Sequence, residues 1–348
     1  MKKYIFIFLL MSVFSCQKEK FIPPESKHRE EDFLKRTLKE TEEIVKKTKK
    51  KNNFDRNDIV KPETVEDIQV RLANKYKKEG KYKKALIVLL DLYKEYPESI
   101  NILENISQVY SALKDFENSK KYALKILELD KENLFALTVI ANFYAHKKEY
   151  KKAIEHYIKI ANISPAYNVL HNIGVLYEKQ GRLKEAFKYY KKASRVNPSQ
   201  DAFYSLALIS QKLNDKDNSL EYLIKADRRG FSLKIKKMLA LEYIKQNKFD
   251  EAVKVYLQII DKTNALEDYN NLASAYLYKK RYGKAEEIYK KALKYYPQNP
   301  RLLYNLALCY YKMKKPSKML RIIREYEKVA QSITSVRKLK VYLGKISK

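Results

Sequence analysis

The chain of 348 residues has no tryptophan, six glycines, two cysteines and four histidines. So few glycines leave no glycine-rich loop of the kind that cradles phosphate. The histidines, His28, His146, His156 and His171, form no His-x3-His pair, and the cysteines form no Cys-x2-Cys pair. The usual spacing of metal ligands is therefore missing. No Ser–His–Asp set or carboxylate pair is marked by spacing either, so neither enzymatic chemistry nor a cofactor is expected.

What is present is periodicity. Residues 172–198, NIGVLYEKQGRLKEAFKYYKKASRVNP, place Gly174, Tyr177, Gly181, Ala186, Tyr190, Ala193 and Pro198 at gaps that follow one helical face, interrupted once at Gly181. This reads as two short helices joined at Gly181 and stopped by Pro198, with small residues where the backbones approach and tyrosines filling wider gaps. The pattern returns about every 34 residues. Ala186 has counterparts at Ala85, Ala153, Ala252 and Ala285, and Tyr177 at Tyr76, Tyr110, Tyr144, Tyr243, Tyr276 and Tyr310. Pro198 has counterparts at Pro97, Pro165 and Pro297. Eight copies start at residues 66, 100, 134, 167, 200, 233, 266 and 300.

In these residues the chain resembles the tetratricopeptide repeat family over residues 66–333. It departs from the family pattern by its missing Trp, by Ser119, Ser219 and Met319 at the small position, by Ser210 where Tyr is usual, and by Pro316 in the last turn. The resemblance implies an all-α fold, a right-handed α-solenoid of about eight helical hairpins. Such repeats cannot bury an apolar face singly and need a capping element at the end. Val336, Leu339, Leu343 and Ile346 recur at helical spacing among Lys and Arg, which assigns residues 334–348 to a capping helix.

The N-terminus begins with Lys2 and Lys3, an apolar run too short to span a bilayer comfortably, and Ser15-Cys16. Val13-Phe14-Ser15-Cys16 resembles a bacterial lipobox, with Phe14 bulkier than usual. Residues 1–15 are thus expected to be a lipoprotein signal peptide, with Cys16 the lipidated first residue of a membrane-anchored, envelope-facing protein. The periplasmic side is favoured over the cell surface. An ordinary signal peptide with an incidental Cys is the alternative. Cys309 is expected as a small buried residue of the eighth copy. Residues 16–65 form a tether and one N-terminal helix. Residues 17–28, at roughly 3.3 Å each, would reach about 35–40 Å. A narrow stripe at Leu34, Leu38, Thr41, Val45 and Thr48 makes the next segment either a solvated stalk or a docked helix, with the repeat groove as one possible dock.

The formal net charge is +31. A field of that sign attracts acidic ligands and anionic surfaces. Yet the cations are 60 lysines and only 13 arginines, and the tyrosines are spent on repeat packing. Nucleic-acid readout favours arginine forks and free stacking aromatics, so no nucleic-acid partner is expected.

In the family, the first helix of each copy lines a concave groove, and positions 2, 5, 6, 9, 12 and 13 share one face. Three stripes occupy those positions here. Asn105, Asn172, Asn271 and Asn305 stand at position 6, and Asn74 and Asn142 at position 9. Such amides grip an extended peptide backbone in family members with peptide ligands; alternatively they bond a neighbouring helix. Leu208 and Leu241, with Val175 and Leu308, form an apolar stripe that is either a ligand surface or core between copies. Lys179, Lys212 and Lys245, with Lys78 and Lys312, form a basic edge that meets acidic partners or is simply solvated. The family's clamp for a terminal carboxylate is not matched, because Val70, Phe135 and Val139 stand where cations are required.

The function expected is a membrane-anchored scaffold that binds a protein or peptide partner in its groove, by analogy within an envelope assembly complex. Two alternatives remain at this level. One is a structural lipoprotein that contacts anionic polymer or lipid through its lysine-rich surface. The other is a cytosolic adaptor whose N-terminus only mimics a signal. The sequence does not fix the oligomeric state.

Overall fold

The computed structural model describes residues 25–52, 64–330 and 333–347, and among these every regular element is an α-helix. The leader, Cys16 and residues 17–24 of the expected tether lie outside the described residues, while residues 25–28, expected as extended tether, are instead the first turn of a helix. The chain divides into two compact units, residues 1–143 and 144–348.

The described part of the first unit holds α1 (Glu25–Asn52), α2 (Val65–Lys78), α3 (Tyr82–Glu95), α4 (Ile100–Ala112), α5 (Phe116–Leu129) and most of α6 (Leu134–His146). Thr64 starts α2 with a capping box: its hydroxyl accepts from the Asp67 N–H, while Asp67 accepts from the Thr64 N–H. Asp115 caps α5 through the Asn118 N–H. Helix α1 packs against α2 and α3, burying Thr37 and Thr41, and Glu40 pairs with Lys84 at 2.9 Å. The N-terminal helix is therefore docked on the first helix pair.

The second unit holds the end of α6, then α7 (Tyr150–Ile163), α8 (Tyr167–Lys179), α9 (Leu183–Val196), α10 (Gln200–Lys212) and α11 (Lys216–Asp227). It continues with α12 (Leu233–Lys245), α13 (Phe249–Ile260), α14 (Leu266–Tyr278), α15 (Tyr282–Tyr295), α16 (Pro300–Lys312), α17 (Pro316–Glu327) and α18 (Ile333–Ile346). From α7 onward each helix packs on the next, and the buried residues of α9 to α18 form one continuous core. Pro316 falls in the first turn of α17, where its missing N–H has no helical partner to lose. Helix α18 closes the end of the unit against α16 and α17, with Leu339 fully buried and the Tyr342 ring stacked on Tyr311 at 4.8 Å. The fold class is thus all-α, eight successive helix pairs followed by a capping helix.

One turn recurs in every pair. The residue two after each first helix is left-handed: Gly80, Lys114, Lys148, Gly181, Asn214, Asn247, Lys280 and Lys314 all have φ between 52° and 74°. The following N–H then donates to the carbonyl five residues back, as from Arg182 to Tyr177 and from Lys81 to Tyr76. This satisfies a helix-end carbonyl that would otherwise lack a partner.

The small positions are buried as the sequence implies. Ala85, Ala153, Ala186, Ala252 and Ala285 are completely covered, and so is Met319 in the last pair. The tyrosines divide. Tyr76, Tyr276 and Tyr310 are buried, but Tyr177 is only half-buried, stacked on Tyr189 at 5.4 Å beneath the Arg182 guanidinium. The filled gap in that copy belongs instead to Tyr190, on the second helix.

A candidate partner-binding face

In α8, α10, α12, α14 and α16 the burial alternates by helical face. Positions 3, 7 and 8 are buried, as at Val169, Ile173 and Gly174, whereas positions 2 and 13 are mostly exposed and 6, 9 and 12 mostly half-exposed. These five first helices therefore present one open, mixed face within the second unit. Asn172, Asn271, Asn305, Leu208, Leu241, Lys179, Lys212 and Lys245 all lie on it. Asn74, Asn105 and Asn142 belong to the first unit.

The apolar members differ in accessibility. Leu241 is 45% exposed and Leu208 half-buried, while Val175, Met238, Ile244, Leu277 and Leu308 pack partly against the core. Tyr278, on the same side of α14, is 68% exposed and stacked on Phe249 at 5.1 Å. A leucine and a tyrosine held open in this way are apolar surface available to a partner.

Most asparagines also do internal work. Asn172 donates its amide to the Tyr157 hydroxyl at 3.3 Å. Burial pushes the Tyr157 phenol up to about 12, and the Asn172 bond partly opposes that. Burial again pushes the Tyr256 phenol to about 12, but the Tyr256 hydroxyl makes no hydrogen bond, so Asn271 holds no such partner there. Asn305 donates to Asn270 at 2.7 Å. Asn105, in the first unit, is buried, donates to Asn101 and accepts from Lys77 at 2.5 Å. Asn74 and Asn142 are half-buried.

The lysines at position 13 are exposed, and two have acidic neighbours. Lys212 pairs with Glu178 at 2.7 Å, which ties α10 to α8, and Lys245 lies 3.5 Å from the buried Glu242. Lys179 sits 5.8 Å over the Tyr150 ring. A largely exposed pair such as Lys212–Glu178 contributes about 0–1 kcal/mol and leaves the lysine charge screened but present.

Glu178 is the hub that sequence reasoning missed. Its second oxygen accepts from the Tyr190 hydroxyl at 2.7 Å. Burial raises the Glu178 carboxyl, but the Lys212 and Tyr190 hydrogen bonds outweigh it and hold the group below the usual carboxylate range. Burial also lowers the half-buried His171 imidazole, whose Nε2 lies 3.1 Å from the Ser205 hydroxyl. Lys237 bridges α12 to the buried Asp268 of α14 at 2.9 Å. These pairs join neighbouring first helices into a polar ladder. The available signal was an acid and a base 31 to 34 residues apart on one face, about one repeat period.

Among the described residues no group of three His, Cys, Asp or Glu side chains is placed to hold a metal ion, and no helix is long and apolar enough to cross a membrane. Cys309 is buried, donates toward the Tyr282 carbonyl, and has its thiol pushed up to about 11 by burial.

Tetratricopeptide repeat models match residues 134–199, 276–332, and 100–133, 200–229 and 238–261, which together make up more than half of the chain. The chain is a tetratricopeptide repeat protein. No curated protein matches it in sequence. Among solved structures it is similar to MamA, at 18% identity over 45% of this chain and 94% of that one, with a TM-score of 0.43. It is similar to MamA of Desulfovibrio magneticus RS-1 at 16% identity, over 46% and 92%, with a TM-score of 0.43. It is also similar to YrrB, described as a tetratricopeptide protein with an unusual peptide-binding site, at 23% identity over 50% and 92%, with a TM-score of 0.42.

Proposed function

We propose that this tetratricopeptide repeat protein is a membrane-tethered scaffold that holds a protein or peptide partner on the open face of α8, α10, α12, α14 and α16. The observation that carries the reading is Leu241. It is 45% exposed in the middle of that face, flanked along the same helix by Met238 and Ile244. An exposed apolar strip edged by amides and lysines suits a segment that offers apolar side chains and an unpaired backbone. Leu241 is already more than half covered, so a partner that buries the rest gains roughly 1 kcal/mol from that side chain alone.

The tether rests on the sequence at Cys16. A lipid there would hold the scaffold at a membrane of the cell envelope, within reach of an envelope assembly complex. A single acyl chain anchors only marginally, so stable attachment would need further acylation or the attraction of the lysine-rich surface to anionic lipid.

Two variants test the two halves separately. Leu241→Asp should abolish partner capture from solubilised envelopes while leaving the fold intact, and unchanged capture sinks the face. Cys16→Ser should release the protein from membranes and alter its mobility. An unaffected distribution would refute the anchor and return the chain to a cytosolic adaptor. Capture that persists at 0.15 M salt supports apolar and amide contacts, whereas steep loss above it points to charge-driven attraction to anionic polymer or lipid.

A further inference from the structure

Helix α9 differs from the other second helices of its unit. Lys184, Lys188, Lys191 and Arg195 recur at intervals of four, three and four, which puts them on one helical face, with Lys192 at its edge. All five are exposed, and among the described residues none has an acidic partner. The single acid of the helix, Glu185, is already held by the Arg182 guanidinium at 2.6 and 2.9 Å. On three other second helices of the unit at least one lysine pairs with a nearby acid, Lys152 with Glu149, Lys225 with Glu221, and Lys284 with Glu287. The strip on α9 is thus an uncompensated row of positive charge roughly 16 Å long, at 1.5 Å rise per residue.

The row ends in a cleft of about 270 Å³ between the end of α7, the turn into α8 and the end of α9. Ile158, Leu170 and Val196 supply apolar walls, and Tyr189, Lys192 and Arg195 stand beside them. The rim is held in place: Lys192 lies 5.0 Å over the Tyr189 ring, which is itself stacked on Tyr177.

We propose that this strip and cleft form a second binding surface, separate from the first-helix face, for an acidic peptide segment that carries one apolar anchor residue. The cleft is below the roughly 300–1,000 Å³ typical of small-molecule sites, and suits a single leucine- or phenylalanine-sized side chain. The cations stand in a line about 4.5–6 Å apart along the helix. In an extended peptide, alternate side chains on one side repeat every ~6.7 Å, so acids at every second position run alongside them. An anionic bilayer would call for cations spread over a plane around a broad apolar patch, and this surface offers one row and one pit.

The test uses the full chain and a fluorescein-labelled peptide with Asp or Glu at alternate positions and a terminal Leu, followed by anisotropy in low salt. Three comparisons accompany it: the same peptide with Ser for Leu, the variant Lys188→Glu/Arg195→Glu, and phosphatidylcholine vesicles with or without phosphatidylglycerol. The proposal expects the Leu peptide to bind, the double variant to weaken it at least tenfold, and the Ser peptide to bind several-fold more weakly. Absence of binding overturns it. So does equal affinity for the Leu and Ser peptides, which would mean counterion attraction alone, or unchanged affinity in the double variant. Vesicle binding that depends on Lys188 and Arg195, without peptide binding, overturns it in favour of a lipid surface. Leu241→Asp should leave peptide binding unaltered, so failure here and failure of the first-helix face are told apart.

Discussion

Ser107 and Ser119 hold each other across the first unit. Each hydroxyl donates to the other residue's backbone carbonyl at 2.9 Å, and the two oxygens lie 3.1 Å apart on the facing helices α4 and α5. Both positions are completely or almost completely buried. In most other pairs the same contact is made by Ala or Gly, so here two hydroxyls replace two small apolar groups and satisfy one another. Ser219, at the equivalent place in α11, has no such partner: it meets a pair whose first helix offers Ala207, and its hydroxyl is buried without a hydrogen bond. Ser119→Ala should therefore destabilise by about 1 kcal/mol, whereas Ser219→Ala should stabilise by a similar amount. Chemical denaturation of the two variants checks this, and a shift of the same sign in both would contradict it.

Gly174 is required by a ring. A Cβ added there would come within 2.7 and 2.8 Å of two Tyr190 ring carbons. Tyr190 is buried and its hydroxyl is fixed on Glu178, so the ring has little room to yield. Alanine gains about 1 kcal/mol over glycine in a helix interior, but overpacking costs about 1–3 kcal/mol. The second term wins, and Gly174→Ala should lower the thermal midpoint. A raised midpoint would mean that the α8–α9 contact is looser than the distances say.

Four lysines sit where glycine would be easier. Lys114, Lys148, Lys280 and Lys314 have φ of 63°, 61°, 54° and 52°, the conformation Gly80 and Gly181 adopt in their own turns. A side chain there costs about 1–2 kcal/mol, offset by the roughly 0.5–1 kcal/mol that glycine loses in ordering. Replacing each with Gly should stabilise by about 0.5 kcal/mol. The four sites are far apart in sequence and share no hydrogen-bonded partner, so the gains should add to about 2 kcal/mol. No gain in the fourfold variant would show that these turns carry no strain.

Asn172 has a structural part as well as a surface one. The hydrogen bond from its amide to the buried Tyr157 hydroxyl implies that Asn172→Ala costs about 1 kcal/mol. Tyr177→Ala should cost less than the 3–5 kcal/mol expected for a fully buried ring, because Tyr177 is only partly buried. Tyr289, fully buried on α15, should show the full cost. Equal losses for the two tyrosines would mean that the packing faces are misassigned.

The helix pairs were legible because three kinds of residue repeat together: small residues at the contact, tyrosines in the gaps, and a break between. Gly181 marked that break in one copy. In Lys280 or Lys314 the same backbone turn carries no sequence mark, since nothing about lysine announces a left-handed residue. The capping helix was visible in Val336, Leu339, Leu343 and Ile346. What could not be read was which of two tyrosines in a copy is buried, because helical spacing puts Tyr177 and Tyr190 on the shared face alike, and only packing against the next helix separates them. The binding face was legible as positions but not as chemistry. In the sequence Asn172 and Asn305 fit a peptide contact or a bond to a neighbouring helix alike, and the structure gives each a partner on a neighbouring helix. The docking of α1 on the first helix pair was open, because its thin stripe fits a stalk as well as a docked helix.

The most direct test of the account places a photoreactive residue at position 241 and crosslinks in the native cell. A discrete protein adduct from 241, matched from 208 and absent from the exposed back of α15 at Lys291, is the predicted result and would name the partner. No adduct from 241 or 208, with adducts only from lysine positions on second helices, would contradict the claim that the first-helix face is where this scaffold holds its partner.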